Sequence, residues 1–334
     1  MFILKAPAKL NICLKLTGRK ENGYYELFSL ASFIELSDTV KIKENKSVFP
    51  SVFMSGKYGH MFDNFHISSI EGNTVMKALD FMHQQYRTPM NFDISINKDI
   101  PVAGGLGGSS ADSSLIINFI SQYFDIDISR EMVDELLEKI GSDTQFFMQD
   151  NTALCEGIGD RVTPISLDPA SEAIPTLIVY PNFELSTNDV YAALPKDIEF
   201  FSKEQEQEWR NFILTPNIEF KHLVKKTIKL GNDLLESATS IRKEIKMLVN
   251  MLDGCKGAFG SGMSGSGSCC FAMFDKEEDL HTASIELSSR LPAYEFIPTR
   301  LLPRCEKQQV MMSSRPAMEM IFHPHKEEDW EKIK

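Results

Sequence analysis

The chain has 334 residues, 43% of them hydrophobic and 25% charged, with a formal net charge of −12. That length suits one large domain or two ordinary ones, either able to bury a sizeable core. The acidic balance argues against a general nucleic-acid partner, which needs a basic face, and leaves room for a local pocket that binds a small anion.

No apolar run reaches the ~18 residues of a membrane helix. The opening MFILKAPAKLN is broken by Lys5, Pro7 and Lys9 and lacks the basic start of a signal peptide. A cytoplasmic protein with no membrane partner is the expectation. The six cysteines include no CxxC pair and read as small, reduced core residues. No cysteine or histidine pair has zinc-ligand spacing. His323 and His325 fall in a charged tail, and metal ligands stay unassigned.

In chain order, FILKA, LNICLKL, FSLASFIEL, TVKIKE and NFDISINK read as short strands, with an Asn22-Gly23 turn between the second and third. EGNTVMKALDFMHQQY has helical spacing, capped by Asn73 or Thr74. Helices are expected over about Ser110–Tyr123 and Ser129–Ile140, the second with Ser129 as N-cap and Glu131 in its first turn. ALCEGIGDRVTPI reads as strand-turn-strand and TLIVYPN as a buried strand. Residues Ser202 to Leu252 are polar and helical. CKGAFGSGMSGSGSCCFAMF is a glycine-rich loop entering a strand; DLHTASIELSSRL then reads as a helix and EFIPTRLL as a strand. Strands and helices mix without a regular alternation, so an α+β fold fits better than a doubly wound sheet. A boundary near residues 155–170 gives each half one glycine-rich loop.

The stretch PVAGGLGGSS carries four glycines between Gly104 and Gly108. Glycine lets backbone approach a ligand closely, and a helix starting near Ser109–Ser110 presents unpaired N–H groups and a positive dipole end to an anion. A Walker A loop needs a lysine after its last glycine, and none is present. The dinucleotide pattern G-x-G-x-x-G also fits poorly. Alone, this loop reads equally as a structural turn or a phosphate site. The second stretch, GSGMSGSGS, favours two loops flanking one polyphosphate, against a hairpin with tight turns.

Phosphoryl transfer also needs a group to take the acceptor's proton and positive charge beside it. Asp143 in IGSDTQFFM and Lys9 in APAKLNICL both sit next to apolar runs, where a charge is costly unless paired. Meeting, they would form a base beside a cation. An ordinary ion pair is the competing reading of each, and spacing does not bring them together.

The segments APAKLNICLKLTGRKENGYYEL, IPVAGGLGGSSADSS, GSDTQFFM, CEGIGDRVTPI, LSTNDVYAAL and GSGMSGSGSCCFAMF occur in an order that resembles the GHMP kinase superfamily, from about Lys5 to Leu302. Within it they are similar to the branch acting on a diphosphocytidyl sugar alcohol in non-mevalonate isoprenoid synthesis. The resemblance implies a two-domain α+β kinase with its active site in the inter-domain cleft: residues 1–163 with the phosphate loop and catalytic pair, 164–304 with the second loop, and a peripheral tail over 305–334. It implies ATP and Mg2+, with transfer to the acceptor's 2-hydroxyl. Asp143 takes the position of the catalytic base and Lys9 that of its partner. The ATP loop comprises Pro101, Val102, Ala103, Gly104, Gly105, Leu106, Gly107, Gly108, Ser109, Ser110 and Ala111. Asn11, Tyr24, Tyr25, Thr187 and Tyr191 fall at substrate positions, Tyr24 and Tyr191 as rings sandwiching the cytosine.

Three departures stand out. Tyr25 replaces a histidine that helps read the base, Ser109 replaces a glycine, and TQFF follows the aspartate where VPFF is usual. Other GHMP kinases, acting on mevalonate, phosphomevalonate, homoserine or a sugar, are the nearest alternatives. They have no use for two stacking rings. A non-catalytic nucleotide-binding protein of this fold is a further reading, opposed by the retention of both Lys9 and Asp143. Nothing in the sequence fixes the oligomeric state.

Overall fold

The computed structural model describes residues 1–47, 49–62, 73–129, 132, 135, 139–141 and 143–305. Two long strands dominate the N-terminal part: β1 (Phe2–Arg19) and β2 (Tyr25–Glu44), paired antiparallel along nearly their whole length. Each joins two runs that read as separate strands. Pro7 does not break β1, because the register shifts between Pro7 and Lys9 absorb the missing N–H at an irregularity. Asp38 does not break β2, because its carboxylate is buried and bonded rather than turned to solvent.

After β2 come β3 (Ser51–Ser55), α1 (Thr74–Tyr86), β4 (Phe92–Asn97) and α2 (Gly108–Phe124). Asn73 caps α1, its side chain accepting from the N–H groups of Val75 and Met76, a cap that stabilises by about 1 kcal/mol. Strand β3 carries no clear sequence signal; it lies parallel to β4 with Val52 and Met54 turned inward. The helix expected over Ser129–Ile140 lies largely outside the described residues, Glu131 included, although the Ser129 hydroxyl does accept from the Met132 N–H at 3.4 Å. Next come the short α3 (Thr144–Phe147), the hairpin of β5 (Ala153–Gly157) and β6 (Arg161–Pro164), and β7 (Ile174–Tyr180).

The later part contains α4 (Thr187–Ala192), α5 (Lys203–Ile213), α6 (Phe220–Thr227), α7 (Leu235–Ile241), α8 (Glu244–Asp253), β8 (Ala258–Met263), β9 (Cys270–Phe274), α9 (Glu277–Arg290) and β10 (Glu295–Leu302). Among the described residues the strands form one ten-stranded sheet of order β3-β4-β2-β10-β7-β9-β8, with β1 and β5 also on β2 and β6 on β5. Strand β10 stitches the later strands to the earlier ones, pairing with β7 along its length and with Phe33 and Ile34 of β2. The expected tail lies beyond the described residues from position 306 onward. Arg304 and Cys305 still dock on the body through Pro169 O and Asp150 O.

Three buried clusters follow from this layout. One packs α1 and α2 on β2 and β4. A central one gathers Leu10, Phe28, Ile178 and Phe271 with Phe220 and Leu223 of α6. The third places α7–α9 against β7–β9. Lys9 lies beside the loop between β4 and α2, bonded to Leu106 O, whereas Tyr25 and Tyr191 pack on the third cluster.

Candidate active site

The loop from Pro101 to Gly107 turns the chain from β4 into α2. Ala103, Gly105 and Gly107 take positive φ, and Gly107 is the N-cap, with no side chain closing the helix end. The first intrahelical bond runs from the Ala111 N–H to Gly107 O at 2.8 Å, so the preceding N–H groups have no helical acceptor and face outward. A pocket of about 160 Å³ lies in front, lined by Phe62, Lys98, Ile100 and every residue from Pro101 to Ser110. Ala111 is buried behind the loop in the α1–α2 core. Ser109 falls in the first turn of α2 with its side chain exposed, so its Cβ does not crowd the loop interior.

The second glycine-rich stretch is a β-hairpin, β8–β9, turning over residues 264–269. It packs against the first loop rather than across a ligand from it. A Cβ at Gly105 would stand 2.1 Å from Ser264 O. The Ser264 hydroxyl donates to Gly105 O at 2.9 Å and accepts from the Asn11 N–H at 3.2 Å. The Cys269 N–H donates to Gly104 O at 3.1 Å. Gly105 therefore serves the close approach of two backbones, a demand indistinguishable in sequence from close approach to phosphate.

Lys9 and Asp143 do meet. Lys9 Nζ lies 3.4 Å from Asp143 Oδ2 and also donates to Asn11 Oδ1. Asn11 Nδ2 in turn donates to the Ser29 hydroxyl at 2.8 Å. The Lys9 N–H donates to Leu106 O at 3.0 Å, fastening β1 to the phosphate-loop candidate. Asp143 sits immediately before α3 with no backbone cap bond from its side chain. Cys155 lies close by: burial pushes its thiol up to about 12, the Lys9 charge opposing and the Asp143 charge adding.

Two of the predicted substrate residues, Tyr25 and Tyr191, pack together on the third cluster. The rings of Tyr25 and Tyr191 stack at 5.6 Å with 29° between planes. The Arg19 guanidinium lies 5.0 Å from the Tyr25 centroid on β1's last residue, and Phe200 stands 6.4 Å from the same ring. Tyr24 is 63% exposed in the turn before β2 and is not part of this stack. Burial, then the Asp143 charge, raises the Tyr191 phenol to about 12. Thr187 shares a 2.8 Å hydrogen bond with the Ser266 hydroxyl, so α4 is fastened to the tip of the β8–β9 hairpin.

Sequence reasoning missed three groups. Ser264 joins the two loops. Asn232 Nδ2 donates to Met263 O and Gly265 O, both at 2.8 Å, and holds the hairpin tip from outside. Lys98 is buried between Asp38 and Asp112 beneath the pocket. The one signal for that last group was a strand that kept its alternation through Asp38 and a lysine just before Ile100-Pro101.

With this geometry in place, the comparisons with known proteins are specific. Residues 73–153 match the model of the GHMP kinases N terminal domain, and residues 220–292 that of the GHMP kinases C terminal domain. A 4-diphosphocytidyl-2-C-methyl-D-erythritol kinase of Clostridium botulinum is 33% identical over 273 residues, 81% of this chain and 90% of that protein. The enzyme of the same name from a Wolbachia species of Drosophila simulans is 29% identical over 315 residues, covering 90% and 99%. Among solved structures, a 4-(cytidine 5'-diphospho)-2C-methyl-D-erythritol kinase superposes with TM-score 0.67 at 22% identity, covering 90% of this chain and all of that one. A homoserine kinase from Cytophaga hutchinsonii reaches 0.68 at 15% identity, covering 91% and 95%.

Proposed function

The chain belongs to the 4-diphosphocytidyl-2-C-methyl-D-erythritol kinase family of GHMP kinases, and from that premise we propose that it transfers the γ-phosphoryl group of ATP to the 2-hydroxyl of 4-diphosphocytidyl-2-C-methyl-D-erythritol, in non-mevalonate isoprenoid synthesis. The observation that carries the reading is the Lys9–Asp143 pair beside a loop whose following helix aims its open end at the pocket.

In the reaction, the loop Pro101–Ser110 and the α2 N-terminus hold the nucleotide phosphates through backbone N–H groups and the helix dipole. Asp143 accepts the hydroxyl proton as the acceptor oxygen bonds to the γ-phosphorus; the bond to the β–γ bridging oxygen breaks and ADP leaves. Lys9, oriented by Asn11, holds Asp143 and supplies positive charge to the transition state. Tyr191 and Tyr25 provide aromatic faces for the acceptor's base, and Thr187 holds α4, which carries Tyr191, to the hairpin tip. Mg2+ fits as a partner of the nucleotide. Among the described residues no three carboxylate, histidine or cysteine side chains cluster, and this ion commonly binds substrate phosphates plus one or two protein oxygens. The Ser110 hydroxyl, which lines the pocket, would hold it. When bound it supplies neutralisation of charge on the transferring group.

A division at residues 163/164 and a cytoplasmic location belong to the same proposal. The two family-model matches fall on either side of the division. No disulfide joins any of the six cysteines, as in reducing compartments. No described helix is long and apolar enough to cross a membrane.

The testing experiment is ATP turnover with Mg2+ on four acceptors: the diphosphocytidyl compound, its uridine analogue, mevalonate and homoserine. Turnover of the cytidine compound is expected. Turnover of mevalonate or homoserine alone would reassign the acceptor within the superfamily, and ATP binding without turnover of any would make the chain a binding protein.

A further inference from the structure

Lys98 is 2% exposed, and the carboxylates on either side of it, Asp38 and Asp112, are 0% and 2% exposed. Its ammonium donates to Asp38 Oδ2 and to Asp112 Oδ2 at 2.6 Å. Three elements meet at this point. Asp38 comes from the middle of β2, Lys98 follows β4, and Asp112 lies one turn into α2. The other Asp38 oxygen accepts from the Asp99 and Ile100 N–H groups at 2.6 and 2.8 Å. Those are the two residues that lead into Pro101, so Asp38 grips the chain where the phosphate loop begins, and Asp112 grips it where the helix begins.

Placing three charges out of water is expensive, and an apolar trio of the same volume would often stabilise a fold as well or better. The cluster is also incomplete: it sums to one negative charge, and Asp112 Oδ1 is buried without a hydrogen-bond partner. Burial raises the Asp112 carboxyl, Lys98 opposing and Asp38 adding. A buried acceptor without a partner calls for an explanation. Its location supplies a reason. Lys98 lines the pocket together with the loop, and a Cβ at Gly108 would stand 3.6 Å from Lys98 Nζ and 3.1 Å from Ile100 Cγ2. The first residue of α2 therefore stands over Ile100, with this lysine just beyond.

We propose that Lys98 is a positioning residue for the nucleotide phosphates: held between Asp38 and Asp112, it sets the start of the phosphate loop and the open end of α2 at a fixed distance and angle, so that their N–H groups converge on one anion. This rests on the reading of the pocket as the nucleotide phosphate site. Directional N–H groups serve an anion only when their aim is fixed in advance, and a misplacement of about 1 Å is enough to cost up to about 100-fold.

The test compares the wild-type protein with Lys98→Met and with the charge-neutral triple variant Asp38→Asn/Lys98→Met/Asp112→Asn. The triple variant removes the unpaired buried charge that makes the single variant prone to unfold. Near-UV circular dichroism establishes which variants are folded. ATP affinity is read by calorimetry, and the acceptor KM by steady-state turnover at saturating ATP. The expected result is a folded triple variant that binds ATP roughly 10- to 100-fold more weakly, with the acceptor KM within about twofold of wild type. Unchanged ATP affinity in the folded triple variant overturns the proposal and leaves the assigned function standing. Equal weakening of both substrates also overturns it, since that is what a general loss of packing produces. A wild-type protein that does not bind ATP overturns both this proposal and the function on which it rests.

Discussion

Lys9 and Asp143 form an unequal pair: 3.4 Å separates Nζ from Oδ2, but the lysine side chain is 6% exposed and the aspartate 44%. The cation is buried and anchored by Asn11, while the carboxylate keeps one side to the solvent from which an acceptor arrives. That inequality suits a base better than a structural ion pair, in which both partners gain from burial only when both are fully bonded. Asp143→Asn keeps the shape and removes the basicity. Turnover is expected to fall by about 10²–10⁴-fold, the usual worth of a general base, with ATP affinity retained. Turnover near the wild-type level would remove Asp143 from the mechanism.

The contact between the two glycine-rich stretches makes a different kind of prediction. Gly105 has φ +76, and a Cβ there meets Ser264 O at 2.1 Å, with Ser264 C at 3.0 Å. Both obstacles are backbone, so neither can swing aside. Gly105→Ala is expected to force the loops apart, break the Ser264–Gly105 bond and destabilise the protein by more than about 1 kcal/mol, the strain of the φ alone being of that size. Ser264→Ala removes the bond without the clash. It leaves Gly105 O and the Asn11 N–H without their partner and is expected to cost about 1–3 kcal/mol. Thermal denaturation of both variants, with and without ATP, measures this; a neutral Gly105→Ala would mean that the loops are not in contact.

Tyr191 stacks on Tyr25, within reach of the Asp143 charge. Replacing it with alanine is expected to weaken acceptor binding by roughly 1–3 kcal/mol, the value of one base-stacking ring, and an unchanged acceptor KM would reject the stacking role. Its hydroxyl, raised to about 12, stays protonated across the range in which enzymes are assayed. Tyr191→Phe is therefore expected to leave any alkaline limb of the rate profile below pH 10 where it was. A limb that disappears in that variant would show that the phenol ionises during turnover.

Much of this was legible in the sequence because it depends on local pattern. The cap at Asn73, the β5–β6 turn and the buried strand around Thr176–Tyr180 each announce themselves within a few residues. What escaped is non-local. Asp38 looks like a turn residue until Lys98 arrives to pay for its burial. The glycines of Gly260–Ser268 look like a ligand loop until their neighbours are found: Ile228 at Gly260, Phe271 at Gly262, Gly105 of the first loop at Gly265 and Met263 at Gly267. Residue spacing offered Lys9 and Asp143 only as candidates; the register of β1 on β2 and the placement of α3 bring them together. Tyr25 rather than Tyr24 faces Tyr191, because the turn after Arg19 leaves Tyr24 outside the sheet and puts Tyr25 on its first paired position.

The cysteines give a prediction independent of function. Cys13, Cys155, Cys269 and Cys270 are buried, whereas Cys255 and Cys305 are only partly so. Burial raises the thiols of Cys13, Cys155 and Cys270 from 9.0 to about 12. A group whose folded pKa lies above its unfolded value stabilises fully below the unfolded pKa and loses that contribution as pH rises toward the folded one. The window is therefore about pH 9 to 12: the unfolded chain ionises these thiols first, and each lowers the unfolding free energy by on the order of 1 kcal/mol at pH 10. Urea midpoints are expected to be flat with respect to these groups up to pH 8.5 and to fall between pH 9 and 10.5. Serine at Cys13 and alanine at Cys270 should blunt the fall. A thiol reagent at pH 8 is expected to label Cys255 and Cys305 in the native protein and the other four only after denaturation. Rapid native labelling at Cys155 would mean that the strand beside the Lys9–Asp143 pair opens far more readily than its burial on β2 allows.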